Sequence, residues 1–503
     1  MKNEYMCRFK ILLRQSWRYK LLKFMSVFMV IQGYAQSPII IINQVQNYDV
    51  LLDGAADPWG GYVVAGYVDA TPSSATLLRV RPNGDTLFHR FPNLPGSRFD
   101  GLIRLQDGTF LAYGDRPLDT LPPLLQYRHR VWTVHCDTGL NILSEYMYSV
   151  PSKYVALQFT NGIVENNGNV VLASVLCGDF SDTAHQCDYG LMRFLPSGDS
   201  ILIKYINTGY DDREVYLAAS HDEDSLLLFG EIGQAMGALQ GVHYLDSEFH
   251  YLGNQGMSFN GYIDPFTVIR DDANSFLLYG LSPTPGSLVN LMPGICRLNN
   301  EAQLITSAQC QPQSLYCNSL DCRGMDKVNS HNFLIGGNKD LTVPWDLYSL
   351  TSYYLALFDD GLQQSNLWIF GGDMHYVMHS VIASPLGGCL LSGSRFPDPI
   401  LGKPNAYLVL MGPDLILQTH EPADEAKNLR LSPNPASDWL VVDRLPAGIN
   451  SFFLYDFQGR CLQYVKSGST ELKINVSGLP HGIYSYNLIS REGKSYSGKW
   501  VKQ

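Results

Sequence analysis

Between Cys177 and Cys187 the chain places Asp179, Ser181, Asp182 and His185. A hydroxyl, an imidazole and carboxylates are what a hydrolase uses to activate a serine, so this loop invites a nucleophile reading. A triad is set by geometry, however, and adjacency in sequence does not supply it. Neither a Gly-x-Ser-x-Gly elbow nor a His-Glu-x-x-His pair occurs. Paired carboxylates recur at Asp211-Asp212, Asp222-Glu223-Asp224, Asp271-Asp272 and Asp359-Asp360. They could hold calcium or share acid–base work, but none has the acidic spacing and central Gly of an EF-hand loop. All fall in or near turn positions, where an Asp side chain bonds nearby backbone N–H groups. Turn formation is therefore their first reading. No catalytic residue, metal or cofactor is assigned from these groups.

Nine cysteines lie beyond residue 35: Cys136, Cys177, Cys187, Cys296, Cys310, Cys317, Cys322, Cys389 and Cys461. No Cys-x-x-Cys has a partner pair, which speaks against zinc. Cys177 with Cys187, and Cys317 with Cys322, are the nearest candidates for disulfides in an oxidising compartment. An odd count leaves at least one thiol unpaired within the chain. Trp345, Tyr348 and Tyr353 lie in or beside one long loop, where they could stack on a sugar or hold a peptide; packing of the loop itself is the plainer use. The chain's 12% aromatic content is otherwise explained by strands, on which Tyr and Phe pack well.

The elements that must carry these groups repeat. An apolar run ending in a small residue occurs at Tyr62–Gly66, Phe110–Gly114, Val170–Ser174, Leu226–Gly230, Phe276–Gly280, Phe333–Gly337 and Cys389–Gly393. Successive end points lie 48, 60, 56, 50, 57 and 56 residues apart. Each run is followed by strand, tight turn and strand, as in Leu77–Leu87, and preceded by a further apolar strand. That makes about four strands per unit, here called A to D in chain order. Seven such units at this period predict a seven-bladed β-propeller over residues 36–420. Two stacked sandwiches are the alternative, but give no reason for seven units.

The A–B and C–D turns are short. The B–C connections are long in five units: Asp115–Arg130, Cys177–Asp188, Leu281–Gly294, Asn338–Tyr353 and Ser394–Asn405. In a meander these connections emerge on one face, which is therefore elaborated while the other is trimmed. Long loops on a rigid scaffold are where binding usually sits. Tolerated surface insertion is the competing use, since extending a loop costs little.

Residues 1–35 read as a signal peptide. Seven Lys/Arg precede or flank the short apolar stretch Phe24–Ile31, and small residues allow cleavage after Ala35 or Gln36. A membrane anchor would need about 20 apolar residues. Removing seven basic residues and one acidic one takes the net charge from −11 to −17. Such a surface repels phosphate backbones, so nucleic acid is an unsuitable partner. Ile39–Val45 reads as a strand with no place in the first unit. It is expected to cover the outer edge of the seventh, near Leu415–Gln418, because open edges invite aggregation.

The last stretch, 428–503, follows a charged, Ala-containing linker at 421–427. It opens with Pro433-Asn434-Pro435 and the run Trp439–Val442. It continues with Phe453–Arg460, including Asp456 and Gly459, then Gly482-Ile483-Tyr484, and ends with Lys499 and Lys502. Over about seven short strands these residues suggest a small, immunoglobulin-like β-sandwich. In order and spacing they resemble the type A C-terminal sorting domain of the bacterial type IX secretion system. The resemblance implies passage through the periplasm and across the outer membrane of a Gram-negative bacterium, and removal of the module. It further implies contact with the secretion machinery and, in many members, attachment to surface lipopolysaccharide. The protein is thus expected to be a secreted or cell-surface propeller that binds or scaffolds an extracellular glycan or protein. A secreted hydrolase or lyase using the channel or loop face is the alternative.

Overall fold

The computed structural model describes residues 39–42, 49–68, 74–91, 96–117, 129–154, 156–178, 187–207, 215–219, 225–232, 239–256, 264–272, 274–283, 291–311, 323–340, 350–397, 404–413, 430–432, 435–443, 449–455, 461–466, 472–490 and 495–502. The organised elements are strands, beginning with β1 (Ile39–Ile42).

Five four-stranded antiparallel sheets follow one another. The first contains β2 (Asp49–Ala56), β3 (Tyr62–Val68), β4 (Ser74–Val80) and β5 (Thr86–Arg90); the second β6 (Arg98–Arg104), β7 (Phe110–Pro117), β8 (His129–Cys136) and β9 (Ile142–Ser149). The third contains β10 (Ala156–Val164), β11 (Val170–Cys177), β12 (Cys187–Phe194) and β13 (Ser200–Ile206); the fourth β14 (Val215–Ala219), β15 (Ser225–Ile232), β16 (Leu239–Asp246) and β17 (Tyr251–Gly256). The fifth contains β18 (Asp264–Asp272), β19 (Ser275–Pro283), β20 (Leu291–Asn299) and β21 (Leu304–Gln309). A seven-stranded sheet completes the body with β22 (Met325–Asn329), β23 (Asn332–Lys339), β24 (Thr351–Asp359), β25 (Gln364–Ala383), β26 (Cys389–Phe396), β27 (Asn405–Met411) and, at its edge, β1. The first strand of each sheet neighbours the first strand of the next, and β25 returns to β2, which closes a β-propeller.

The spacing of the repeats predicts seven separate units, but the described residues form six sheets. The difference lies in β25. One stretch of this strand pairs with β24 and the next, from His375, pairs with β26. Gly371 and Gly372 take φ of +89° and +100°, so the chain bends between the stretches where a side chain would be strained. The strand therefore passes between two predicted units without the break that separates the others.

The small residue ending each apolar run has a steric cause. Leu51–Gly66, Phe99–Gly114, Phe159–Ser174, Pro265–Gly280 and Met378–Gly393 are opposed pairs, each just before a bulge in the A strand. A Cβ on Gly66 would lie 2.0 Å from the carbonyl oxygen of Val50, and one on Gly114 2.2 Å from that of Arg98. The apolar residues before the small one are buried on both faces of their strand, as in Tyr62–Ala65 and Val170–Ala173. They fill cores between successive sheets: Val63, Phe99 and Trp132 join the first to the second, and Leu51, Val64, Ile382 and Leu408 join the last to the first.

Sequence places Ile39–Val45 against Leu415–Gln418. β1 instead pairs with β27, Ile39 opposite Leu410 and Ile42 opposite Tyr407. It occupies the fourth-strand position of the last unit and covers an edge that would otherwise be open. Residues 414–420 lie outside the described residues.

Beyond the body, β28 (Arg430–Ser432), β29 (Trp439–Asp443) and β32 (Leu472–Asn475) form a three-stranded sheet. A four-stranded sheet has the order β31 (Cys461–Lys466), β30 (Ile449–Tyr455), β33 (Gly482–Ser490), β34 (Ser495–Lys502). Leu440, Val442 and Ile474 from the first share one core with Phe452, Leu454, Leu488 and Trp500 from the second.

Candidate functional site

In the C-terminal module the structure brings together motifs far apart in sequence. Gly482 stands opposite Lys502, Tyr484 opposite Trp500 and Ser485 opposite Lys499. The segment after Pro435 lies against the same strand: Ala436 N–H donates to the Val501 carbonyl at 3.0 Å, and Lys502 Nζ donates to the Ser437 carbonyl. Tyr484 is buried beside Trp500, and its hydroxyl donates to the Pro480 carbonyl at 2.6 Å. Opening and closing motifs thus meet at one seam, with Pro435 exposed beside it. Pro433, Asn434, Asp456 and Gly459 lie outside the described residues.

In the body, charged groups converge among the inner strands. Arg323, just before β22, places Nη1 3.1 Å from Asp53 Oδ1 on β2. Asp53 Oδ2 also accepts the N–H of Leu102 on β6 at 3.2 Å. Asp100 on β6 accepts the N–H of Phe159 on β10 at 3.1 Å and pairs with Arg98 at 3.0 Å. Asp326 accepts the N–H of Ala383 on β25 at 2.8 Å and that of Lys327 at 2.8 Å. Burial pushes the Asp326 carboxyl up while Arg323 opposes the shift. Burial, with Asp53 adding to it, holds the Tyr113 hydroxyl protonated.

A converging acid–base cluster is what a catalytic site would require. Here both oxygens of each of the three carboxylates already have partners; for Asp53 and Asp100 one partner is an N–H on the inner strand of the next sheet, and for Asp326 it is the N–H of Ala383 on β25 of the same seven-stranded sheet. Geometry therefore commits the cluster to holding neighbouring inner strands together. Sequence reasoning missed it. Each is an Asp within a strand, Asp53 on β2, Asp100 on β6 and Asp326 on β22, and nothing in the local pattern marks it.

The trimmed face is similarly committed. Arg79 pairs with Asp57 at 3.3 Å, Arg193 with Glu165 at 2.8 Å and Arg297 with Asp271 at 2.6 Å, each arginine on a C strand and each acid in or beside an A–B turn. Arg193 and Arg297 also donate to the carbonyls of Ser247 and Asp360 in turns of the next sheet, both at 2.7 Å. Other acids serve their own turns: Asp246 accepts from the backbone N–H of Glu248 and His250, and Asp359 from that of Gln363. Asp271 and Asp360 are thus ion-pair and turn residues, and among the described residues no group of acids, His and Cys could hold a metal ion. Asp211-Asp212 and Asp222-Glu223-Asp224 lie outside the described residues.

On the elaborated face, Cys177 and Cys187 form a disulfide with Cα atoms 4.1 Å apart. Beside it the buried Asp188 accepts from Lys153 Nζ at 2.9 Å, from Asn207 Nδ2 at 2.9 Å and from the Tyr154 hydroxyl. Tyr353 is not available to a ligand. It is fully buried, edge-on to Tyr376 and Tyr407, and its hydroxyl donates to the Val377 carbonyl at 3.1 Å. Its place on β24 opposite Phe370 explains this, since the strand is buried on both sides. Trp345, Tyr348, Cys317, Cys322, Ala35, Gln36, Asp179, Ser181, Asp182, His185 and the tips of the five long loops lie outside the described residues.

Residues 430–503 match the family described as the secretion system C-terminal sorting domain. The chain therefore carries a type IX secretion sorting module behind a β-propeller, and it is a secreted or cell-surface protein. The module's partner is the type IX secretion machinery. No curated protein matches the chain in sequence. Among solved structures, a protein of unknown function from Bacteroides caccae is similar at 10% identity and a TM-score of 0.36, over 65% of this chain and 94% of that one. The extracellular domain of a hybrid two-component system from B. thetaiotaomicron is similar at 10% identity and a TM-score of 0.42. That similarity spans 92% of this chain and 57% of the other.

Proposed function

We propose that the protein is an exported binding or scaffolding propeller whose ligand, a surface glycan or protein, engages the B–C loops. What carries this reading is the contrast between its two faces. The trimmed face and the inner-strand cluster spend their charges on ion pairs and turn bonds within the fold. The long loops exceed what closing a hairpin needs, and the disulfide and the Asp188 cluster give one of them a fixed base. Residues 1–35 act as the leader and 421–427 as the linker to a sandwich-like sorting module. After removal of that module the body is released or attached to surface lipopolysaccharide.

The body has seven blades in this reading. Seven apolar runs support the count. So does the core between β24 and β26, where Tyr353, Leu355, Met378, Leu391 and Tyr407 pack as residues do between separate sheets. Two experiments test the function. Deleting 428–503 in the native host should abolish surface delivery; normal surface levels would refute the sorting role. Glycan and surface-protein arrays should yield a ligand, and replacing residues 341–349 and 118–128, between the described strands, by short Gly-Asn turns should weaken its binding at least tenfold. Undiminished binding by a folded variant would move the site to the channel or the trimmed face, where a hydrolase or lyase would have to work.

A further inference from the structure

We propose that Arg116 and Arg130, at the foot of the long loop of the second sheet, hold a carboxylate or sulfate carried on an extracellular glycan. The inference rests on the glycan branch of the function proposed above and narrows it to acidic glycans. Arg116 on β7 stands directly opposite Arg130 on β8, and Arg130 opposite Ser149 on β9. β7 ends at Pro117 and β8 begins at His129, so the pair sits at the elaborated face. Opposed residues send their side chains to one side of a sheet, with Cβ atoms about 5 Å apart. Both arginines are part-buried.

Like charges at opposed positions destabilise a sheet unless something neutralises them. Among the described residues the neutralisation is incomplete. Glu145 Oε1 on β9 lies 3.4 Å from Arg116 Nη1, whereas a charge-assisted bond closes to about 2.8 Å. That oxygen already accepts from Trp132 Nε1 at 2.9 Å. Arg116 Nη1 also donates to the Met147 sulfur, a weak acceptor. Arg130 Nε is buried and has no acceptor among the described residues. Other arginines are matched closely: Arg98 meets Asp115 at 2.8 Å, Arg193 meets Glu165 at 2.8 Å and Arg297 meets Asp271 at 2.6 Å. In a chain of 47 acidic and 36 basic residues, an acid at one of the two positions would be the ordinary arrangement. An oxyanion drawn between the two guanidinium groups accepts from both, and each presents its donors as a planar fork. Leu143, Glu145, Met147 and Ser149 are exposed on the side of β9 that carries the arginines, so a chain of sugars has a flank to lie on. The acidic protein as a whole repels a continuous polyanion such as DNA. It tolerates charges spaced among neutral sugars.

Matched glycan arrays test this with the full-length chain. They carry uronate-containing and sulfated oligosaccharides beside the carboxyl-reduced and desulfated forms of the same sugars. Wild type should bind an acidic form at least tenfold more tightly than its neutral counterpart. Arg116→Gln and Arg130→Gln should each remove most of that preference. Arg81 is exposed in a C–D turn of the trimmed face, and Arg81→Gln, the same change of charge, should keep it. Without glycan, Arg130→Gln should melt at or above the wild-type temperature, because it removes a like-charge contact. A lower melting temperature would make Arg130 a structural residue and overturn the assignment. No preference for acidic forms, an unchanged preference in both variants or an equal loss in Arg81→Gln would also overturn it. So would single-stranded DNA bound as tightly as the acidic glycans. A protein that takes only neutral glycans or proteins through its loops would overturn this inference and leave the binding reading standing. Loop variants that keep their ligand would overturn the loop face alone.

Discussion

Arg323 reaches Asp53 across 270 residues of sequence, Nη1 to Oδ1 at 3.1 Å, and so ties the seven-stranded sheet to the first sheet. Arg323 is also bonded through its backbone to β25, its N–H donating to the His379 carbonyl at 2.8 Å and its carbonyl accepting from Val381 at 3.0 Å. One residue thus fixes three inner segments.

Cutting this tie should be costly in proportion to what it strands. Removing one partner of a buried pair costs about 3–5 kcal/mol, but Arg323 keeps 36% of its side-chain surface. We therefore expect Arg323→Met to lose about 1–2 kcal/mol, the exposed limit being nearer zero. Asp53→Ala should lose more, because it also orphans the Leu102 N–H. Urea unfolding of both single variants and the double variant measures the coupling; strictly additive losses would show that the pair does not interact.

Four C–D turns hold a non-glycine residue with a left-handed backbone: Leu140, Phe249, Ala302 and Leu362, at φ of 57–63°. All four are buried, so packing opposes a backbone cost of about 1–2 kcal/mol. Ala302→Gly gives up little burial and should be neutral or stabilising by up to about 1 kcal/mol. Leu362→Gly gives up a buried leucine and should lose about 1–3 kcal/mol net. Thermal melts of the two variants should therefore move in different directions or by clearly different amounts.

Acid should loosen the turns before the cores. The backbone N–H of His250 holds the Asp246 carboxyl below its usual range, against a small opposing effect of burial. The backbone N–H of Asn274 does the same for Asp272, and the His331 side chain for Asp360. A carboxylate lowered on folding stabilises the native state above its unfolded value. That contribution fades as pH falls below about 4 toward the folded value. Stability should decline through that window, and Asp272→Asn should flatten the decline. An unchanged pH slope would remove Asp272 from the set.

Burial pushes the Cys136 and Cys296 thiols up to about 12 and raises Cys389 as well. At pH 8 these thiols should resist alkylation in the folded protein and react once denaturant is added, which intact-mass measurement can follow. The Cys177–Cys187 bond closes a span with a sequence separation of 10. Replacing both by serine should lose about 2–3 kcal/mol by loop-closure entropy.

Trp500 is fully buried in the C-terminal module, and its indole N–H has no acceptor among the described residues. An unmet buried donor costs about 1–3 kcal/mol. Trp500→Phe should therefore stay within about 1 kcal/mol of wild type, while Trp500→Ala should lose about 3–5 kcal/mol through the cavity. A large loss in Trp500→Phe, read by thermal unfolding, would show that the N–H has a partner.

The B strands were legible because sterics write them locally: a run buried on both faces ends where the bulged A strand presses on Gly66, Gly114 or Gly393. Turn acids were legible for the same reason, since Asp272 and Asp359 bond residues within four positions. The carboxylates at Asp53, Asp100 and Asp326 were not, because each has a partner 49–59 residues away on another inner strand, and sequence separation hides it. Tyr353 was misplaced because aromatic type beside a long loop says nothing about which side of a strand edge it occupies. The partner of β1 was shifted by one strand because an apolar strand states that it must be covered, not by which neighbour.

β1 also decides how the body meets force. Among the described strands of the body β27 is the last in the chain before the sorting module, and it is flanked on both edges, by β26 and by β1. Pulled along its length, it must shear two rows of hydrogen bonds together instead of peeling from one side. A body lacking β1 would offer one row only. The same four isoleucines that cover an edge at rest would then set how firmly the folded body resists being drawn through a pore by its tail.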